Sequence, residues 1–247
     1  MQRGLTVDEV AAACEVDPKT ASRWVAGRVP HRRNRWTVAN LLKIDEAYLW
    51  PETGQRTSRL GAAQSELVDT YANRASVPRD IWMSLLSGAM KQIDVLVFSG
   101  TFFAQTNPHI TRMLQERAQA GVRVRLCFGD PEGEAVRIRG EEEGIGDTLA
   151  AKIRASLTYY RDLVGHPGCE VRLHDTTLYT SIFRYDDHLM ANPHIWGLPA
   201  SANPLLQLRR TPGGEWFERY GESFDAVWST ARPWVPDSQE QYHHGQD

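Results

Sequence analysis

The side chains best suited to chemistry are not grouped here as catalytic or metal sites usually are. Cys14, Cys127 and Cys169 lie too far apart for a CxxC metal or redox pair, and their odd number argues against a disulfide framework. His174 stands beside Asp175, His188 follows Asp186-Asp187, and His194 lies near Trp196. His188, His194 and Asp187 are the best metal set on offer, but they form neither an i,i+4 pair nor His-x-His, so no metal is expected. Glu141-Glu142-Glu143 reads as a solvated helix start, favoured by the positive end of the helix dipole. What the chain does concentrate is positive charge. Lys19, Arg23, Arg28, Arg32, Arg33, Arg35 and Lys43 follow one another with no acidic residue between Pro18 and Lys43. Such a run on a small domain suits a phosphate backbone.

Two short helices would hold that charge in place. Val7, Val10, Ala11 and Cys14 repeat at helical spacing behind Thr6, and Glu9 completes a capping-box pattern. Asp17 suits the N-cap of a second helix, with Pro18 at its first position and Gly27 beyond its end. Only Glu15-Val16 lies between them. Helices joined so tightly make a helix-turn-helix arrangement, in which the second helix meets base edges in the major groove and flanking arginines hold phosphates. Lys19, Thr20, Ser22 and Arg23 then face DNA, with Arg28, Arg32, Arg33 and Arg35 around them. Residues 1–51 make this small all-α domain, and 52–66 read as a linker, partly helical near Leu60–Leu67.

Residues 67–235 alternate helices with strands. Helices are expected at Pro78–Lys91 (with Ile81, Leu85 and Ala89 on one face), Pro108–Ala120, Thr148–Val164 and Glu215–Thr230. Strands are expected at Ile93–Phe98, Val122–Phe128 and Leu205–Arg209, with Glu170–His174 and Leu178–Tyr185 as a pair. This alternation implies an α/β sandwich on a largely parallel sheet. Ligands of such sheets bind at the carboxyl ends of the strands, where Ser99-Gly100-Thr101 and Gly129-Asp130-Pro131 stand. Residues 236–247 read as a disordered polar tail, with His243-His244 inside it.

Two resemblances sharpen these expectations. Leu5–Ala11, Val16–Trp24 and Gly27–Pro30 resemble phage-repressor-like helix-turn-helix regulators, and the continuation His31–Trp36 and Leu41–Pro51 resembles a subset found in actinomycetes. The chain departs from that pattern at Glu15, where the family usually has Gly. It also departs ahead of Thr6, where only Met1–Gly4 remains for a further helix. The order from Trp82 through Val97–Gly100, Gly121–Arg125 and Leu178–Asp187 is similar to one half of a phospholipase-D-like domain. Pro204–Arg210 and Phe217–Trp228 extend that likeness. The active members use a His, a Lys two residues later and an Asp five beyond that. Here Tyr179 and Ser181 take the first two places and only Asp186 survives. A neutral Tyr, with a reference pKa of about 10, is a poor phosphodiester nucleophile. The resemblance therefore implies no catalytic residue, no cofactor and no phosphodiesterase activity.

A pocket can outlive its chemistry. Tyr179 and Ser181 share a strand face at a period of two. Ser99, Thr101, Asp130, Tyr179, Ser181 and Asp186 are thus expected to line one cleft for a small or phosphate-bearing ligand, with Phe102, Phe103 and Tyr185 as apolar walls. Because active phospholipase-D-like sites combine two halves and this chain has room for one, the resemblance also implies a homodimer.

The whole chain agrees with this division. Its 247 residues suit two domains, and 41% hydrophobic with 24% charged residues is a folded composition. Residues 1–50 hold eight Lys/Arg against six Asp/Glu, a net of +2, which leaves −5 of the overall −3 to the rest. Ala11-Ala12-Ala13-Cys14 imitates a lipoprotein cleavage box, but Asp8 and Glu9 occupy the place of the apolar segment it needs. A cytoplasmic protein without a membrane partner is expected. The leading reading is a DNA-binding transcriptional regulator. The alternatives are a DNA-targeted phosphodiesterase or nuclease and a dimeric protein-interaction adaptor.

Overall fold

The computed structural model describes residues 5–44, 46–50, 66–107 and 109–236. The expected linker 52–66, apart from Glu66, and the expected tail, apart from Pro236, lie outside the described residues. The chain divides into two compact units, Met1–Gly61 and Ala62–Asp247.

The first unit is helical: α1 (Val7–Ala13), α2 (Pro18–Val25), α3 (Arg32–Leu42) and α4 (Glu46–Leu49). Both expected caps form. Thr6 and Glu9 make the reciprocal capping box of α1, and the Asp17 carboxylate accepts from the Lys19 N–H at the start of α2. Glu15 adopts the left-handed conformation at φ +54°, so the turn keeps a glycine-like backbone without a glycine. Ala11, Ala21, Val38 and Ala39 form the small core, with α1 packed against both α2 and α3.

The second unit is built on one sheet. Its strands are β1 (Leu67–Tyr71), β2 (Gln92–Val97), β3 (Arg123–Gly129), β4 (Cys169–His174), β5 (Thr180–Tyr185), β6 (His188–Pro193), β7 (Leu205–Arg209) and β8 (Arg232–Pro233). They lie in the order β1-β7-β6-β5-β2-β3-β4-β8. Among the described residues, only β2–β3 and β3–β4 pair in parallel, and every other neighbour is antiparallel. The largely parallel sheet is thus corrected to a mixed one. Helices supply the two parallel crossovers, whereas hairpin and edge connections build the rest. The expected strand pair also dissolves, since β4 pairs with β3 and β8 while β5 lies between β2 and β6.

The helices are α5 (Arg79–Gly88), α6 (Thr101–Thr106), α7 (Ile110–Gln119), α8 (Glu134–Glu142), α9 (Thr148–Tyr159) and α10 (Trp216–Thr230). α5 stops before Lys91 and buries Trp82 and Leu86, while Ile81 and Leu85 are half-covered. Glu141-Glu142-Glu143 closes α8 instead of opening a helix. Arg137 pairs with Glu134 and Glu141, and Arg139 with Glu142 and Glu143, so these carboxylates brace the helix at i,i+3 and i,i+4 spacing.

Helices cover both sheet faces. On one, Arg125 binds Asp94 at 2.7 Å and Asp225 of α10 at 2.8 Å, and its guanidinium lies over Phe224 and Trp228. On the other, Trp82 meets Phe183 edge-on and Phe128 packs against Tyr160. Glu66, expected within the linker, is instead fully buried. Its carboxylate accepts from the Trp216 and Phe217 N–H groups and caps α10.

Candidate functional site

In the helical unit, α2 turns Ala21 inward and leaves Lys19, Ser22 and Arg23 exposed, with Thr20 half-covered. Arg28 is exposed beyond the helix. Arg33 is exposed on α3, 3.8 Å from Glu15 in a fully solvated pair. Arg32 opens α3. Arg35 differs from the rest of the expected cation set: it is half-buried and donates to the Pro30 carbonyl, so part of its hydrogen-bonding capacity serves the fold.

The second unit carries a cleft of about 360 Å³ at the carboxyl end of β2. Its floor is Val97-Phe98-Ser99-Gly100 with Ser181 and Phe183 of β5. Its walls include Thr101 and Phe103 of α6, Arg74, His194, and Lys152 of α9. Gly100 makes the floor possible. It sits at φ +62°, and a Cβ there would lie 2.3 Å from Phe128 Cε1.

His194 is the centre of the cleft's chemistry. Its Nδ1 lies 2.9 Å from the Leu178 carbonyl and its Nε2 lies 2.9 Å from Ser181 Oγ. A carbonyl only accepts, so Nδ1 carries the proton, Nε2 has a free lone pair, and the serine hydroxyl donates to it. The ring stacks on Phe98. Burial, then the charge of Arg139, and further on that of Arg74, push its pKa down to about 4, which leaves the imidazole neutral at pH 7. Arg74 is itself lowered to about 10 by burial and stays charged; its guanidinium lies over the Phe102 ring. Two donors in this cleft, Thr101 Oγ1 and Arg74 Nε, are buried without a hydrogen-bond partner.

Of the six residues expected to share a cleft, Ser99, Thr101 and Ser181 do so. The other three are elsewhere. Tyr179 precedes β5 at a bend, is 78% exposed, and lines a separate apolar groove with Trp216 and Tyr220. The period of two that should join it to Ser181 holds only within a strand. Asp130 binds Arg232 at 2.7 Å and accepts from the Glu132 N–H, which hold its pKa below the usual carboxylate range although burial opposes them. Asp186 sits in the β5–β6 turn at φ +52°, five residues beyond Ser181. There its carboxylate accepts from the Met90, Lys91 and Gln92 N–H groups at 2.7, 2.8 and 2.8 Å. Phe102 and Phe103 are cleft walls as expected, but Tyr185 is sealed in the core.

Arg74, Lys152 and the role of His194 escaped the sequence reading. Arg74 lies in a short 3-10 turn, Arg74–Ser76, with no periodic signal. The His194–Ser181 contact depends on β6, which pairs Pro193 with Thr180 across the hairpin. His188 and Asp187 lie at one end of that hairpin and His194 at the other, so they do not converge. No group of three or more His, Cys, Asp or Glu suited to a metal occurs among the described residues. None of the helices there is long and apolar enough to cross a membrane.

No curated protein matches the chain. Among solved structures it is similar to Nuc of Salmonella typhimurium, a phospholipase D family member, at 14% identity over 68% of this chain and 97% of that one, with a TM-score of 0.40. It is similar to TrmBL2, an archaeal chromatin protein described as showing a novel mode of DNA binding, at 14% identity over 92% and 87%, with a TM-score of 0.45. It is also similar to NucT from Helicobacter pylori, at 14% identity over 63% and 92%, with a TM-score of 0.40. A family model described as a domain of unknown function, DUF5919, matches residues 64–191, which run from β1 into β6 and take in most of the cleft but not His194. That match takes in more than half of the sequence, and the chain belongs to the DUF5919 family.

Proposed function

We propose that the protein is a sequence-specific DNA-binding transcriptional regulator of the helix-turn-helix kind, whose α/β unit binds a small ligand in the cleft beside Gly100 and joins two copies of the chain. The observation that carries the reading is the division of α2: Ala21 is buried in the helical core while Lys19, Ser22 and Arg23 are exposed together. A helix so divided is held firmly from behind and free to enter a major groove, where Lys and Arg bind guanine edges. Arg28 and Arg33 are exposed nearby in sequence and suit phosphates.

The same reading leaves out phosphodiester hydrolysis. Tyr179 and Ser181 stand where the phospholipase-D-like pattern has its His and Lys, Tyr179 lies outside the cleft, and the carboxylate of Asp186, the one retained member, is taken up by backbone N–H groups. Footprinting of the purified protein on the DNA upstream of its own coding sequence tests the proposal. A protected inverted repeat at physiological salt is the expected result. Equal affinity for that DNA and for random sequence overturns it.

A further inference from the structure

Ser181 and His194 have the relation of an activated nucleophile to its base. The hydroxyl donates to Nε2 at 2.9 Å, and the imidazole is held in that tautomer by a third group, the Leu178 carbonyl, also at 2.9 Å. A buried serine needs no histidine to satisfy it, since any carbonyl would serve. Thr101 Oγ1 and Arg74 Nε lie on the same cleft, both buried and both unpartnered. Buried donors of this kind are rare in folded proteins and call for an acceptor. Two cations, Arg74 and Lys152, face the cleft against one carboxylate, Glu143, and Glu143 is already bound by Arg139 at 2.8 Å. An entering ligand therefore meets positive charge.

We propose that the cleft is an acyl-transfer site in which Ser181 is the nucleophile and His194 the general base, acting on a small carboxylic ester that bears a negative charge. Ser181 Oγ attacks the ester carbonyl carbon and passes its proton to His194 Nε2. The carbonyl oxygen takes on negative charge in a cleft lined by the cations Arg74 and Lys152, which stabilise it. The ester C–O bond then breaks, and the leaving alkoxide takes the proton from Nε2 and departs as an alcohol. Water attacks the acyl-serine, gives its proton to Nε2, and the proton returns to Ser181 as the acid leaves. Ester and water become acid and alcohol, with no metal and no oxidant. The anionic substrate assists its own reaction: a negative charge beside His194 favours the imidazolium that burial otherwise penalises.

The inference uses the cleft proposed above as the ligand site and is independent of the DNA-binding helices. The test uses the purified full-length chain with two probes. A fluorophosphonate should label Ser181, read by peptide mass spectrometry. Mono-p-nitrophenyl succinate should be hydrolysed at least about tenfold better, in kcat/KM, than p-nitrophenyl acetate, the order of gain from one favourable charge contact. Ser181→Ala should abolish both labelling and turnover, and His194→Gln should reduce turnover by about 10²–10⁴-fold, with the thermal unfolding midpoint of each variant checked alongside. If either variant fails to fold, Ser181→Cys keeps the contact with His194, and its new thiol should react with iodoacetamide faster than Cys14, the one native cysteine that is not buried. On p-nitrophenyl acetate, which has no titrating group, kcat/KM should hold as the pH falls to 5 and drop near 4, where His194 of the free protein takes up its proton. Labelling elsewhere, wild-type rates in folded Ser181→Ala, or hydrolysis of bis-p-nitrophenyl phosphate alone would overturn the inference. Saturable binding of the succinate ester without turnover overturns it too, while leaving the ligand site of the proposed function intact.

Discussion

At the scale of single residues, the instructive case is Asp186, whose type is what the phospholipase-D-like pattern demands and whose work here is structural. Three N–H groups of the chain entering β2 point at one carboxylate. These bonds and the Lys91 charge hold the pKa below its ordinary value of 3.8, against the opposing effect of burial. The folded-state pKa is thus the depressed one. The stabilisation is fully present above the unfolded-state value and is lost as pH falls through the folded one. Asp186→Asn is expected to lower stability at pH 7 by about 2 kcal/mol, the scale of hydrogen bonds to a charged group. Its urea midpoint should depend less on pH below 4 than that of the unsubstituted protein. An unchanged midpoint at pH 7 would show the three bonds to be incidental. Residue types alone could not separate this role from a ligand-binding one, because a carboxylate suits either. The same limit hid the Ser181–His194 contact: both residues are plain in the sequence, but their adjacency depends on strand pairing.

Elements were legible where their signals were local. The capping box at Thr6–Glu9, Asp17 ahead of Pro18, and the apolar runs of β2 and β3 all declare themselves within a few residues, and all form. β6 was not legible. His188–Pro193 shows only a short apolar centre, Leu189-Met190-Ala191, and becomes a strand because β5 and β7 flank it. β3 shows how tertiary contact overrides pattern: its alternating arginines suggest a half-exposed strand, yet Arg125 is buried by Asp94 and α10. The α1–α2 turn gives a prediction at this scale. Glu15 sits at φ +54°, where side chains are strained by about 1 kcal/mol and glycine is not. Its ion pair with Arg33 is fully solvated and contributes little. Glu15→Gly is therefore expected to stabilise the helical unit by about 0.5 kcal/mol, after the entropy cost of glycine. It should leave sequence preference unchanged and, by removing a negative charge beside Arg33, slightly raise affinity for all DNA. Hydrogen exchange of the Val10 and Ala11 amides would register the gain, and faster exchange would contradict it.

For the molecule as a whole, DNA affinity should separate into two kinds of contact. Lys19→Ala and Arg23→Ala are expected to cost about 1–3 kcal/mol on the specific site, with little effect on random DNA, as bidentate base contacts do. Arg33→Ala should weaken all sequences alike and reduce the salt dependence, because phosphate contacts release counterions. A titration over a range of salt on both DNAs distinguishes the two, and a uniform loss for Arg23→Ala would remove α2 from base reading.

The dimer expectation belongs to this scale as well, and Glu66 decides how it must be tested. One short helix reads only a few base pairs, so specific recognition calls for two copies on an inverted repeat. The sheet unit is the natural place for the contact between them, because it has by far the larger core. A fragment beginning at Leu67 would cut away the residue that caps α10, leaving the Trp216 and Phe217 N–H groups without their carboxylate. Loss of such a cap costs about 1–2 kcal/mol. Residues 62–247 should therefore fold with a higher unfolding midpoint than residues 67–247, and Glu66→Ala in the longer fragment should reproduce the difference. In sedimentation at micromolar concentration, the 62–247 fragment is expected to behave as a dimer. A folded monomer there would move self-association to the helical unit or to the DNA itself, since the comparison with the 67–247 fragment already separates lost association from lost fold.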